Sequence, residues 1–173
     1  MPDWKGGLTN SFSYKGVNLS FLLEMRHGGD VLDLGENNSI RNGVSLFTEE
    51  RNKAVIWRGV TADNQPNTTQ VILDENTYRA FGINAHYSYV VQDASWFRLR
   101  NINLSYTIPK KALKNTLNNV RVGVNANNVF LSTPFRGFDP EALAFGSGSN
   151  LIGFTGRNTP ATRNINFTLN VGF

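Results

Sequence analysis

Cysteine is absent from the 173 residues, which excludes a disulfide frame and any thiolate metal site. Histidine is nearly absent too. His27 precedes a Gly-Gly pair, His86 lies in a long irregular stretch, and neither has a motif partner. The HExxH, GxSxG and GK[ST] signatures are all missing, and Gly146-Ser147-Gly148 is loop composition, not a phosphate cradle. The reading is therefore not an enzyme, with no catalytic residue, no metal site and no cofactor. Long hydrophobic runs are lacking as well: no stretch approaches the roughly 20 apolar residues of a spanning helix. That leaves open a spanning β-strand, which needs only about 9–11 residues, half of them apolar. Charge of one sign is scarce. The net charge is +4, and Lys110, Lys111 and Lys114 form the one tight basic cluster, so no nucleic-acid partner is expected. Pro2, Asp3 and Trp4 follow Met1 without a basic n-region or an apolar h-region, so the sequence as it stands reads as carrying no secretory signal.

What the sequence has instead is alternation. The mean hydropathy of −0.30 averages over a sharp division between alternating strands and Gly-, Asn-, Ser- and Thr-rich connections. In 93–108, Ile102, Leu104, Tyr106 and Ile108 share one phase, and Asn101, Asn103, Ser105 and Thr107 the other. Pro109 closes the run, because it cannot donate to a ladder. Similar strands are expected near 7–14, 17–27, 119–131 and 162–173. The first two form a hairpin about Lys15-Gly16. In 119–131 the phase slips near Asn127-Asn128, where a bulge would return Val129 or Phe130 to the apolar side.

The connections alternate in length, short at 15–16 and 109–118, long at 28–92 and 132–161. Antiparallel strands put all the short ones at one end and the long ones at the other. The long segment 28–92 shows no sustained period, save a short helix expected over 48–56 with Thr48 as N-cap. Two features of it suit binding. Trp57, Tyr78, Tyr87 and Tyr89 could stack on a ligand or pack against a partner or the loop itself. Asp30 with Asp33, or Asp74 with Glu75, would suit calcium, though without a regular loop spacing.

Strand length separates a membrane sheet from a soluble β-sandwich module. Sandwich strands usually run about 5–6 residues. Eleven residues at about 3.4 Å each, tilted by about 45°, span roughly 26 Å, the height of a barrel's apolar band. The polar faces are amide and hydroxyl, as suits a watery lumen. The fold class expected is all-β, an antiparallel transmembrane β-barrel segment. Arg98 and Arg100 are the awkward residues, because they share the phase of Ile102. Either they reach headgroups beside Trp96, or a bulge turns both to the polar side.

The stretches PDWKGGLTNSFSYKGVNLSFLLEMRHGGD, DASWFRLRNINLSYTIPK, NVRVGVNANNVF and FRGFDPEA, with the terminal strand ending in Phe173, resemble in order and spacing the C-terminal part of SusC/RagA-type TonB-dependent transporters. The resemblance implies five strands of a 22-stranded outer-membrane barrel in a Gram-negative, Bacteroidota-type bacterium, with both long loops extracellular. It implies import of oligosaccharides or peptides, with partners in outer-membrane lipid, the remaining strands and plug of a parent transporter, a SusD-like surface lipoprotein, and the TonB complex acting through parts outside this sequence. Phe167, Leu169, Val171 and Phe173 would match the terminal signal read by the barrel-assembly machinery. The chain alone is expected to be a fragment that transports nothing. The alternatives are a soluble β-sandwich glycan-binding module and a siderophore-type TonB-dependent receptor.

Overall fold

The computed structural model describes residues 1–83, 87–113, 117–145, 148–156 and 158–173. His86, Lys114 and the Gly146-Ser147 pair lie outside the described residues. In chain order the strands are β1 (Trp4–Tyr14), β2 (Val17–His27), β3 (Asp30–Asp33), β4 (Ala54–Ile56), β5 (Gln70–Ile72), β6 (Val91–Asp93), β7 (Trp96–Ile108), β8 (Asn119–Ser132), β9 (Phe154–Thr155) and β10 (Asn164–Gly172). The helices are α1 (Leu34–Arg41) and α2 (Glu75–Ile83). The chain divides into two units.

The first unit comprises Met1–Asp30, Asp93–Ala142 and Thr159–Phe173. It holds a five-stranded sheet in the order β1-β2-β7-β8-β10, antiparallel at every step. The β1–β2 turn has positive φ at both central residues, 45° at Lys15 and 86° at Gly16, the type I′ geometry whose twist matches paired strands. Gly16 is needed there on a second count: a Cβ would stand 2.7 Å from the Thr107 carbonyl oxygen.

Register assigns the faces, since directly paired residues point the same way. Leu8, Leu23, Leu99 and Phe130 form one apolar row, and Phe12, Leu19, Leu104, Val124 and Phe167 another. The opposite face carries Ser11, Ser20, Asn103, Asn125 and Asn166 in one row, and Asn101, Asn127 and Asn164 in the next. Asn127 Nδ2 donates to Asn164 Oδ1 at 2.8 Å, and Asn101 Nδ2 to Asn127 Oδ1 at 2.7 Å, so one amide chain crosses three strands. The apolar face is not a buried core. Phe12 is 54%, Leu169 66% and Phe167 81% exposed.

The expected slip in β8 is a bulge at Asn128, which takes a left-handed φ of 51°. It returns Phe130 to the apolar face, opposite Leu99. A second bulge lies in β7. Leu22 pairs with Asn101 but Leu23 pairs with Leu99, so Arg100 is the extra residue against β2. One extra residue inverts the phase of everything before it. Trp96 and Arg98 therefore share the face of Asn101 and not that of Ile102. Of the two placements open for Arg98, the structure has the bulge and the polar face.

Several boundaries differ from the sequence reading. β1 begins at Trp4, through Gly6 and Gly7, which carry no side chain to report a phase. The run expected from Asp93 breaks at Ala94-Ser95, because the Asp93 carboxylate accepts from both the N–H (2.8 Å) and the hydroxyl (2.6 Å) of Ser95. That local bond competes with extended backbone.

The second unit, Val31–Gln92 and Leu143–Asn158, holds a three-stranded sheet ordered β6-β3-β9 and the two-stranded β4–β5 pair. Ile40, Leu73, Tyr78 and Val90 form its core, flanked by Leu32, Phe47, Val55 and Phe81. The helix expected over 48–56 is not there. Ser45 caps a single 3-10 turn, Leu46–Thr48, and Ala54–Ile56 is the strand β4. The helices present are short and polar. Asp33 caps α1 by accepting from Glu36 N–H at 3.0 Å, and Asp74 accepts from Thr77 N–H at 2.8 Å at the start of α2.

Candidate functional site: a charged cluster on the polar face

The sheet's polar face carries a cluster of charges near the start of β7. Arg98 donates through Nη2 to Asp139 Oδ1 at 2.7 Å, and its Nε stands 3.1 Å from Glu141 Oε2. The second contact is an ion pair without hydrogen-bond alignment, since Arg98 Nε has no hydrogen-bond acceptor. Arg100 Nε donates to Glu24 Oε2 at 2.5 Å, and its Nη2 donates to both oxygens of Glu141 at 3.1 and 2.9 Å. Both guanidinium groups lie over the Trp96 ring, at 5.8 and 5.6 Å from its centroid. Two cations and three carboxylates are thereby joined through Glu141.

Burial decides the weight of each pair. Arg98 is 2% and Asp139 4% exposed. Removing one partner of such a pair strands the other charge, at about 3–5 kcal/mol. The Arg100 pairs are about one-third exposed, and solvent screening reduces such contacts toward about 0–1 kcal/mol. Asp139 is also fixed by backbone, accepting from Glu141 N–H at 3.0 Å and Ala161 N–H at 3.2 Å. No cluster of metal-binding character exists among the described residues. Asp33 and Asp74, weighed above for calcium, are used as helix caps, and Glu75 pairs with Arg79 at 3.3 Å.

Sequence reasoning singled out Arg98 and Arg100 but missed Glu24, Asp139 and Glu141. The signal was present: an Arg-x-Arg in one quoted stretch answers an Asp-x-Glu in another, 135–142. The residues singled out by sequence are spread over both units. Phe167, Leu169 and Val171 stand on the exposed apolar face of β10, with Phe173 beyond its end. In the second unit Tyr78 is a core residue, 5% exposed, and its hydroxyl donates to the Glu50 carbonyl at 2.6 Å. Burial raises its pKa. The ring is spent mainly on the core of this unit. Trp57 and Tyr89 are exposed, each packing one side on Phe81 with centroids 5.7 Å away, and the Tyr87 side chain lies outside the described residues.

A sheet with one exposed apolar face and one face of amides and paired charges is of the class that forms outer-membrane β-barrel walls. No protein-family model matches the chain. Three curated relatives do. TonB-dependent receptor P26 of Formosa agariphila is 29% identical over the full chain, and receptors P3 and P39 of the same organism are 26% and 28% identical over 82% and 100% of it. Among solved structures, the RagAB peptide importer in its closed-closed state matches the whole chain with a TM-score of 0.62 at 22% identity. The RagAB peptide transporter matches 99% of it with the same score at 21% identity. This chain is thus similar in sequence to TonB-dependent receptors and in fold to the RagAB importer. It spans 17%, 13% and 16% of the lengths of the three receptors.

Proposed function

We propose that the chain supplies the C-terminal strands of the barrel of a SusC/RagA-type TonB-dependent importer of oligosaccharides or peptides. The observation that carries this reading is the exposed apolar face of the sheet. A sandwich would cover it with a second sheet, whereas lipid would cover it in a barrel. β1, β2, β7 and β8 are 11, 11, 13 and 14 residues long, enough to cross an apolar band about 25 Å tall at a tilt of about 45°. In this reading the segments 28–92 and 132–161 are extracellular and the turns at 15–16 and 109–118 periplasmic. The terminal residues Phe167, Leu169, Val171 and Phe173 engage the barrel-assembly machinery. The relatives' greater length accommodates the remaining strands, a plug and the parts that meet TonB, and a SusD-like lipoprotein is the partner at the extracellular mouth.

Reading the DNA on both sides of the region encoding residues 1–173 tests the proposal. In-frame coding for a plug and further strands upstream, with a gene for a SusD-like lipoprotein beside it, is the expected result. A self-contained gene whose product is monodisperse in buffer without detergent would overturn it in favour of a soluble module.

A further inference from the structure

The segment 133–142 follows the end of β8 and belongs, by the alternation of connections, to a long extracellular loop. Its contacts are not those of a surface loop. Thr133 Oγ1 donates to the Ser95 carbonyl at 2.7 Å and accepts from Phe135 N–H at 3.1 Å. Phe135 and Pro140 are buried, and Asp139 is clamped by the Arg98 guanidinium on one side and the Ala161 N–H on the other. Glu141 completes the attachment through Arg100, which Glu24 holds from β2. Between the anchors Phe138 is 79% exposed, an aromatic ring carried on a short span fixed at both ends.

We infer that 133–142 is a strap latched to the polar face of β2 and β7 by the Arg98–Asp139–Glu141–Arg100–Glu24 cluster, with Arg98 the positioning residue that presents Phe138 from a rigid base. The charge balance makes the latch specific. With Arg98 in place two guanidinium groups hold three carboxylates. Without it Glu24, Asp139 and Glu141 share one cation, Asp139 loses its buried partner, and repulsion favours lifting the strap. The inference rests on the barrel reading above only for the setting in which it is tested.

The test places a nitroxide at residue 138 (Phe138→Cys) in the full transporter carrying this segment, with any cysteines elsewhere in it replaced; this chain contributes none. Heat-modifiable migration of the outer-membrane fraction is measured first, and a product that is soluble or unmodified by heat fails the barrel reading, not the latch. In assembled protein the label is expected to be strongly immobilised. Arg98→Ala should shorten its rotational correlation time roughly tenfold, into the nanosecond regime of loop motion. Arg98→Lys, with one charge but no fork to reach both carboxylates, should fall between. A label already mobile in the parent, or equally immobile in assembled Arg98→Ala, overturns the latch. Should Arg98→Ala not assemble, Glu141→Gln decides. It keeps the Arg98–Asp139 pair but removes the bridging charge, so partial mobilisation is expected and none would refute the inference.

Discussion

Leu169→Arg and Asn166→Arg, three residues apart on β10, are the sharpest test of the face assignment. Leu169 pairs with Val122 on the apolar side and is 66% exposed. Asn166 pairs with Asn125 on the amide side. Counted from Asn164, Leu169 lies roughly 17 Å along the strand; in the barrel proposed above, a tilt of about 45° would make that roughly 12 Å of depth, near the middle of a band about 25 Å tall. An arginine there costs about 2–4 kcal/mol, whereas a lumen-facing substitution has no such depth-dependent cost. At 1.36 kcal/mol per factor of ten, the Leu169 variant loses roughly 30- to 900-fold in its folding equilibrium. The assay is heat-modifiable migration of the full transporter, followed by urea titration of whatever assembles. Leu169→Arg should show mostly the unfolded form, and Asn166→Arg should resemble the parent. Equal damage from the two, or greater damage at Asn166, would refute the assignment of faces and with it the barrel reading.

Deleting Phe173 should slow barrel assembly in pulse-chase more than Phe173→Tyr, which keeps an aromatic at the terminal position; indifference to the deletion would remove the terminal-signal role. Tyr78→Phe should destabilise the second unit by about 1 kcal/mol, the net value of a hydrogen bond, and leave the Glu50 carbonyl without its phenol donor. Hydrogen exchange over 31–92 would read this loss. Because burial raises the Tyr78 pKa, the folded state holds its phenolic proton longer than the unfolded one. The stability this gives is intact below the ordinary tyrosine value and falls as pH rises past it, which ultraviolet titration of the tyrosinate band in the parent would reveal. The Ser95 hydroxyl, and after it the Ser95 N–H, lower the pKa of Asp93. That contribution to stability is present above the ordinary aspartate range and is lost as pH falls through the lowered value. Ser95→Ala should move the Asp93 titration in carbon-detected NMR upward and leave Gly28 N–H without the oxygen it meets at 2.9 Å.

The sheet was legible because its signal is binary and redundant. Each long strand carries several alternations, the Lys15-Gly16 turn fixes one register, and the Asn127-Asn128 slip was visible as a break in phase. The β7 bulge was not legible in the same way. Arg98 and Arg100 continue an unbroken every-other-residue pattern with Ile102, so no break in phase marks the extra residue. What betrays it is chemistry: two cations on a face otherwise apolar. The second unit was mostly illegible for another reason. α1, with Gly35, Asn37 and Asn38, has poor intrinsic helix propensity and is held by the Asp33 cap and tertiary packing. A core of four buried residues drawn from 40, 73, 78 and 90 leaves no period for a window to find. The capping pattern Asp33-x-x-Glu36 was the available signal there.

The two bulges and the charged cluster are one solution to a single constraint. Had β7 kept one phase, Arg98 would lie on the face of Leu23, Ile102 and Phe130, where Asp139 and Glu141 could follow only by bringing more charge into an apolar surface. Inserting Arg100 as the odd residue sends Arg98 and Trp96 to the polar side and at the same stroke sends Phe97 and Leu99 to the apolar side, opposite Met25 and Leu23. The Asn128 bulge makes the matching correction in β8, so Phe130 meets Leu99. Both faces stay uniform across the irregularity. The backbone disruption lies where the sheet meets the strap, and the Arg100 side chain it releases is used at once, bridging Glu24 of β2 to Glu141 of the strap. A bulge that only relieved strain would have no reason to place an arginine there, whereas one that re-aims a side chain and ends regular pairing does.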